Sequence, residues 1–147
     1  MAAVFEGVQS ASGIGTLTIT KPTGLAVGNM LVASIFGRGG GDVSTPSGWT
    51  SLITVNTDYD AARARCFIKI ADSTDVAASN FSFSNSFGTL CYGTLSRLSG
   101  ASYDQIVTYN RSNSSSSSVS YTGLTPNYAD SLYMIVSAFT TGASAFT

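Results

Sequence analysis

Period two runs through this sequence. Between Ala62 and Ala71, the residues Ala64, Cys66, Ile68 and Ile70 fall on one side of an extended backbone, and Arg63, Arg65 and Lys69 fall on the other with Phe67. Successive side chains of a strand point to opposite faces, so the pattern predicts a strand with one buried face and one solvated face that carries the three cations. Thr16–Thr20 (TLTIT) and Asn80–Ser84 (NFSFS) alternate in the same way, and Phe81 and Phe83 are expected inward. Helical periodicity is nearly absent. A parallel sheet needs crossover connections of about a dozen residues, usually helices, and no interval between these runs carries one. The predicted sheets are therefore antiparallel.

Further runs complete the set. Asn29–Phe36 (NMLVASIF) is almost continuously apolar, as a central strand covered on both faces would be. Gly48–Val55 regains strand character after Thr45-Pro46-Ser47. Phe87–Leu98 is a longer strand in which Gly88 and Gly93 mark a bulge or a close approach. Val119–Thr122 and Ser131–Thr140 (SLYMIVSAFT) supply two more, for eight candidate strands with turn residues between them. Residues 1–15 read as an N-terminal arm, Gly37–Asp42 as a flexible loop, and 111–118, with five consecutive serines, as a mobile surface loop. Gly24–Phe36 and Gly123–Phe139 share an order of loop, polar turn and apolar strand ending in Phe, as two halves of a jelly roll would. The expected fold is a single all-β domain over 1–147, an antiparallel, jelly-roll-like β-sandwich of eight strands.

The composition narrows the chemistry. The 147 residues include no histidine, which removes imidazole general bases, Ser-His-Asp and Cys-His catalysis, and His-ligated zinc. Charged residues make up only 10% of the chain, with a net charge of −1 and 44% hydrophobic residues. Such a balance argues against disorder, and it gives a phosphate backbone no basic stripe to bind. Much of the surface must then be uncharged, as on a subunit that has neighbours. The start of the chain lacks the basic and apolar regions of a secretory signal, and no apolar run approaches the roughly 18 residues of a membrane span. These features predict a soluble product made in a cytoplasm, with neither nucleic acid nor membrane among its partners.

Few residue groups suggest a reaction. Asp58 and Asp60, which flank Tyr59 in an expected loop, could contribute to a calcium site, but a defined site needs more oxygen ligands, and a solvated turn explains them; Asp72 and Asp75 sit in another expected loop. Gly37-Arg38-Gly39-Gly40-Gly41-Asp42 lacks both the Lys-Ser/Thr ending and the following helix of a phosphate cradle. Cys66 and Cys91 have no metal-site spacing; free thiols and a disulfide are both open to them. No catalytic, cofactor-binding or metal-binding residue is assigned. Trp49 reads as a core or rim anchor. As the alternative, Trp49 and Tyr59 would form a platform on which sugar rings stack.

Lys21-Pro22-Thr23-Gly24, Gly28–Ala33, Pro46-Ser47-Gly48-Trp49-Thr50, Phe67–Ala71, Asn80–Phe83 and Leu95–Gly100 together resemble a family of structural proteins from the virions of tailed bacteriophages and prophages. The likeness is good over residues 20–105 and loose elsewhere. Where family members often have Pro-Ile-Asp after the Ser-Gly element, this chain has Tyr103-Asp104-Gln105-Ile106, and the second repeat lacks its Trp segment. The resemblance implies small β-sandwich modules of capsid-decoration, head-fibre and tail-fibre proteins, without enzymatic activity. The implied role is an outer decoration or cement subunit, a homo-oligomer that binds the major capsid protein or other virion proteins. A tail-fibre or receptor-binding module that recognises host glycan is the alternative.

Overall fold

The structure, a computed structural model, describes residues 2–56 and 62–102. They form β1 (Val4–Gly13), β2 (Thr16–Thr20), β3 (Met30–Gly37), β4 (Thr50–Asn56), β5 (Arg63–Ile70), α1 (Ser73–Ala77), β6 (Asn80–Ser84) and β7 (Cys91–Ser99). The strands make a five-stranded sheet in the order β1-β7-β3-β5-β4 and a two-stranded sheet, β2-β6. Every pairing is antiparallel. The nested pairs β3–β5, β2–β6 and β1–β7 are those of a long two-stranded ribbon rolled over on itself, and the β3–β7 ladder closes the roll. The fold is thus all-β and sandwich-like. The expected strands at 119–122 and 131–140, the serine tract, Asp58, Asp60, Tyr59 and the second half of the repeat lie outside the described residues.

The principal core lies between the sheets. Leu17 and Ile19 of β2 and Phe81 and Phe83 of β6 point inward, while Thr16, Thr18, Thr20, Asn80, Ser82 and Ser84 face out, as their alternation predicts. Opposite them stand Leu31, Ala33 and Ile35 of β3, Phe67 of β5 and Leu95 of β7. Phe67 and Phe83 stack across the gap, with ring centroids 6.2 Å apart. Gly93 of β7 is a close-packing point: a Cβ there would lie 2.4 Å from Leu17 Cδ2 and 2.6 Å from Ile35 Cδ1. β3 is buried on both faces, as its continuous apolar run predicts.

β5 is buried on both faces in its middle, so the expected apolar face is covered at Cys66 and Ile68, and the face expected in solvent is covered too. Phe67, with Arg65 and Lys69, is on the inter-sheet side, whereas Cys66 and Ile68 join Met30, Val32 and Leu98 in a second cluster on the outer side of the large sheet. Arg65 and Lys69 are 9% and 16% exposed, so they are not solvated; each meets an acidic partner at the end of the sandwich. Three other expectations change. Residues 4–13, read as an arm, are strand β1, whose Gly7, Gln9, Ala11 and Gly13 are half-buried on the inner side. Residues 73–77, read as loop, form one helical turn because Asp72 and Asp75 make a reciprocal capping box.

The third change concerns Gly37–Asp42, which packs tightly on residues 85–89. Ser86 N donates to Asp42 O at 2.9 Å, and Thr89 Oγ1 donates to Arg38 O at 2.7 Å. A Cβ on Gly41 would stand 2.2 Å from the Ser86 carbonyl carbon and oxygen. Gly37, Gly39 and Gly41 are there for close approach.

Candidate functional site

Charged side chains among the described residues are used within the fold. Asp42 accepts from Arg65 through both carboxylate oxygens, Nε to Oδ1 at 2.7 Å and Nη2 to Oδ2, and from Arg63 Nη1 at 3.2 Å. Burial pushes the Asp42 carboxyl up, but the Arg65 hydrogen bond, the Val43 N–H and the two guanidinium charges outweigh it and hold the group below its ordinary range. Lys69 Nζ donates to Asp75 Oδ1 at 2.7 Å and lies 3.5 Å from Asp72. Burial pulls the Lys69 ammonium down, yet the Asp75 hydrogen bond and the charges of Asp75 and Asp72 raise it above its ordinary value. Glu6, expected near a loose terminus, accepts from Ser99 Oγ at 2.6 Å and Arg97 Nη2 at 3.4 Å.

Neither aspartate of the capping box is free for a ligand. Asp72 Oδ1 accepts from Thr74 N and Asp75 N, and Asp75 Oδ2 accepts from Asp72 N. Among the described residues no group of three Cys, Asp or Glu side chains is placed to hold a metal ion. Cys66 and Cys91 are free, buried thiols on opposite sides of the large sheet. Burial pushes both thiols up, against smaller opposing hydrogen bonds from Ser34 to Cys66 and from Asn85 to Cys91. No helix among the described residues is long and apolar enough to cross a membrane.

Trp49 is a rim residue. Gly48, at φ +79°, takes the third place of a turn in which Trp49 N donates to Pro46 O at 3.1 Å, and this delivers the indole to the edge of the core. There it meets Phe83 and Phe81 edge to face, with centroids 5.4 and 6.0 Å away, and is half-buried. Its proposed companion Tyr59 lies outside the described residues.

Of the large apolar side chains left in solvent among the described residues, Val4, Phe5 and Val8 lie on β1, and Ile14, Val27, Leu90 and Tyr92 lie outside it. Among the described strands β1 pairs only with β7, and it stands at one edge of the large sheet. Phe5 is 51% and Val8 48% exposed on the outer face, with Val4 exposed at the strand's start and Tyr92 further along the same face. An edge strand with an exposed apolar stripe can recruit a neighbouring surface through main-chain hydrogen bonds and side-chain burial together. Reading 1–15 as an arm hides this stripe; the signal available was the Val4-Phe5 pair and Val8 in an otherwise polar stretch.

Comparison with protein-family models, with curated proteins and with solved structures finds no match for this chain. What the fold defines is the class: an antiparallel, all-β, sandwich-like module with an apolar edge.

Proposed function

We propose that this protein is a non-enzymatic structural subunit of a virion, an outer capsid decoration or cement protein that binds the shell by protein–protein contact. The apolar stripe of β1, with Phe5 and Val8 half in solvent, is the observation that carries the reading. Contacts of this kind gain their strength from repetition through symmetry, so a modest patch on a rigid module is sufficient. The sequence resemblance set out above supports the virion setting, and the engagement of Asp42, Asp72, Asp75 and Glu6 in structural pairs fits a surface-binding role. The subunit, made in the host cytoplasm, works as a homo-oligomer on the outside of the virion against the major capsid protein or other virion proteins, without cofactor, nucleic acid or membrane.

Counting copies in purified particles tests this. Decoration requires copies in fixed ratio to the shell protein, and their loss on Phe5→Asp/Val8→Asp. A few copies at one vertex, with glycan binding that Trp49→Ala abolishes while the fold survives, would instead identify a receptor-binding module.

A further inference from the structure

The free side of β1 offers main-chain N–H and C=O groups with no described strand beside them. Natural edges are guarded against self-pairing by bulges, prolines and charges. On β4, the opposite edge, the register shift between Ser51 and Ile53 leaves only residues 53–56 beyond it in regular pairing. On β1 the shift falls near the start, between Phe5 and Gly7, and residues 7–13 then run in unbroken register with β7. β1 contains no proline, lysine or arginine. Its one charge, Glu6, is turned back onto β7, where it accepts from Ser99 Oγ at 2.6 Å and Arg97 Nη2 at 3.4 Å. A second copy of this edge meets no unpaired charge of its own sign.

Residues 7–13 read Gly-Val-Gln-Ser-Ala-Ser-Gly. Laid antiparallel on itself about Ser10, this segment sets Gly7 opposite Gly13, Val8 opposite Ser12 and Gln9 opposite Ala11, so each larger side chain faces a smaller one. The same register brings exposed apolar side chains together. Tyr92, 55% exposed, is paired with Ser12 on the outer face. Val8 of a second copy, 48% exposed in the free chain, then falls in the row of Tyr92 with only the Ser12 side chain between them. Beyond the register shift, Phe5 at 51% comes level with Ile14 at 67% in the second copy, the residue after Gly13. Antiparallel pairing of two identical edges is a rotation about an axis perpendicular to the sheet, which keeps both outer faces on one side. We propose that two copies of this chain pair along β1 about a two-fold axis at Ser10, joining their five-stranded sheets into one. The use of this dimer against a shell rests on the decoration role above; the pairing itself does not.

Sedimentation of the free full-length chain and cysteines placed on the edge test this together. On the axis Ser10 faces its own equivalent, whereas Ser12 faces Val8 and lies about 14 Å along the strand from its own equivalent. Cys66 and Cys91 are buried, and peptide mass spectrometry reads which thiols have joined. The wild type is expected to dimerise as its concentration rises. Under mild oxidation Ser10→Cys should form a covalent dimer about tenfold or more faster than Ser12→Cys, and Val8→Cys mixed with Ser12→Cys should link one variant to the other. A wild type monomeric at its highest soluble concentration, or a dimer in which Ser10→Cys links no faster than Ser12→Cys, overturns the proposal. Protected β1 amides in such a monomer would assign the edge to the same chain, and linking of Ser10→Cys only to shell protein in particles would assign it to the shell; either result overturns the pairing of copies. Should Ser10→Cys fail to fold, amide exchange of the wild type decides: protection of residues 7–13 gained on association upholds the pairing, and unchanged exchange refutes it. A monomer present in fixed ratio to the shell protein sinks the pairing alone, and a dimer absent from the shell sinks the decoration role alone.

Discussion

Asp42 and Arg65 are joined through both carboxylate oxygens, so the loop that leaves β3 is fastened to β5 at the mouth of the inter-sheet core. Arg65 is 9% exposed, and Asp42 is its acidic partner, shared with Arg63. Removing that partner strands a buried cation. Asp42→Ala should therefore destabilise the protein by about 2–3 kcal/mol, less than a fully buried pair would lose because Asp42 itself is 39% exposed. The midpoint of urea unfolding measures this. A loss under about 0.5 kcal/mol would mean that the pair is ornamental.

The same pair sets the acid limit. The folded Asp42 carboxyl lies below its ordinary 3.8, so its contribution is complete above pH 3.8 and is lost as pH falls through the folded value. The gap between wild type and Asp42→Ala should narrow on acidification below that point. On the alkaline side, Cys66 and Cys91 are raised above 9.0 and Lys69 above 10.5. Their contributions are complete below those ordinary values and disappear as pH rises through the folded ones. Stability measured by urea titration should be level between about pH 4 and pH 9 and decline on either side. A wild-type-to-variant gap that stays constant to pH 2 would contradict the assignment to Asp42.

Much of this was legible from residue order, and the exceptions share a cause. TLTIT and NFSFS gave β2 and β6 with their inward faces correct, because one side of each is wholly polar. β5 misled because both of its sides carry apolar residues. What places Arg65 and Lys69 inward is the position of Asp42, 23 residues back, and Asp75, six ahead; the first lies beyond any local window, and strand alternation gives no signal for the second. Helix α1 has only five residues, too few for a periodicity to show, and its one signal was the Asp-x-x-Asp cap. As for the candidate site, Trp49 was read as a core or rim anchor and packs at the rim on Phe81 and Phe83, while the apolar edge went unread because β1 opens with two adjacent apolar residues and alternates poorly.

Glycine positions separate two kinds of close approach. At Gly93 an added methyl meets the ends of Leu17 and Ile35, which can shift within the core, and Gly93→Ala should cost about 1–3 kcal/mol. At Gly41 it meets the Ser86 main chain at 2.2 Å, where only the loop can move. Gly41→Ala should be the more damaging of the two in thermal unfolding. The reverse order would show that the 37–42 loop is not held on residues 85–89.

Phe5 and Val8 should behave as surface residues towards folding and as anchors towards a partner. Each is about half exposed, so Phe5→Asp/Val8→Asp should change stability by no more than about 1 kcal/mol in urea while reducing self-association in sedimentation. Unfolding of the double variant would place these side chains in the core.

The central claim is that the β1 edge attaches this module to a repeating protein surface. Its most direct measurement is the ratio of this chain to shell protein in purified particles, for the wild type and for Phe5→Asp/Val8→Asp. The account predicts a fixed ratio set by the shell symmetry, which collapses in the double variant although the free protein still unfolds cooperatively. An unchanged ratio in the variant, or a wild-type chain present in only a few copies at one vertex, would contradict it.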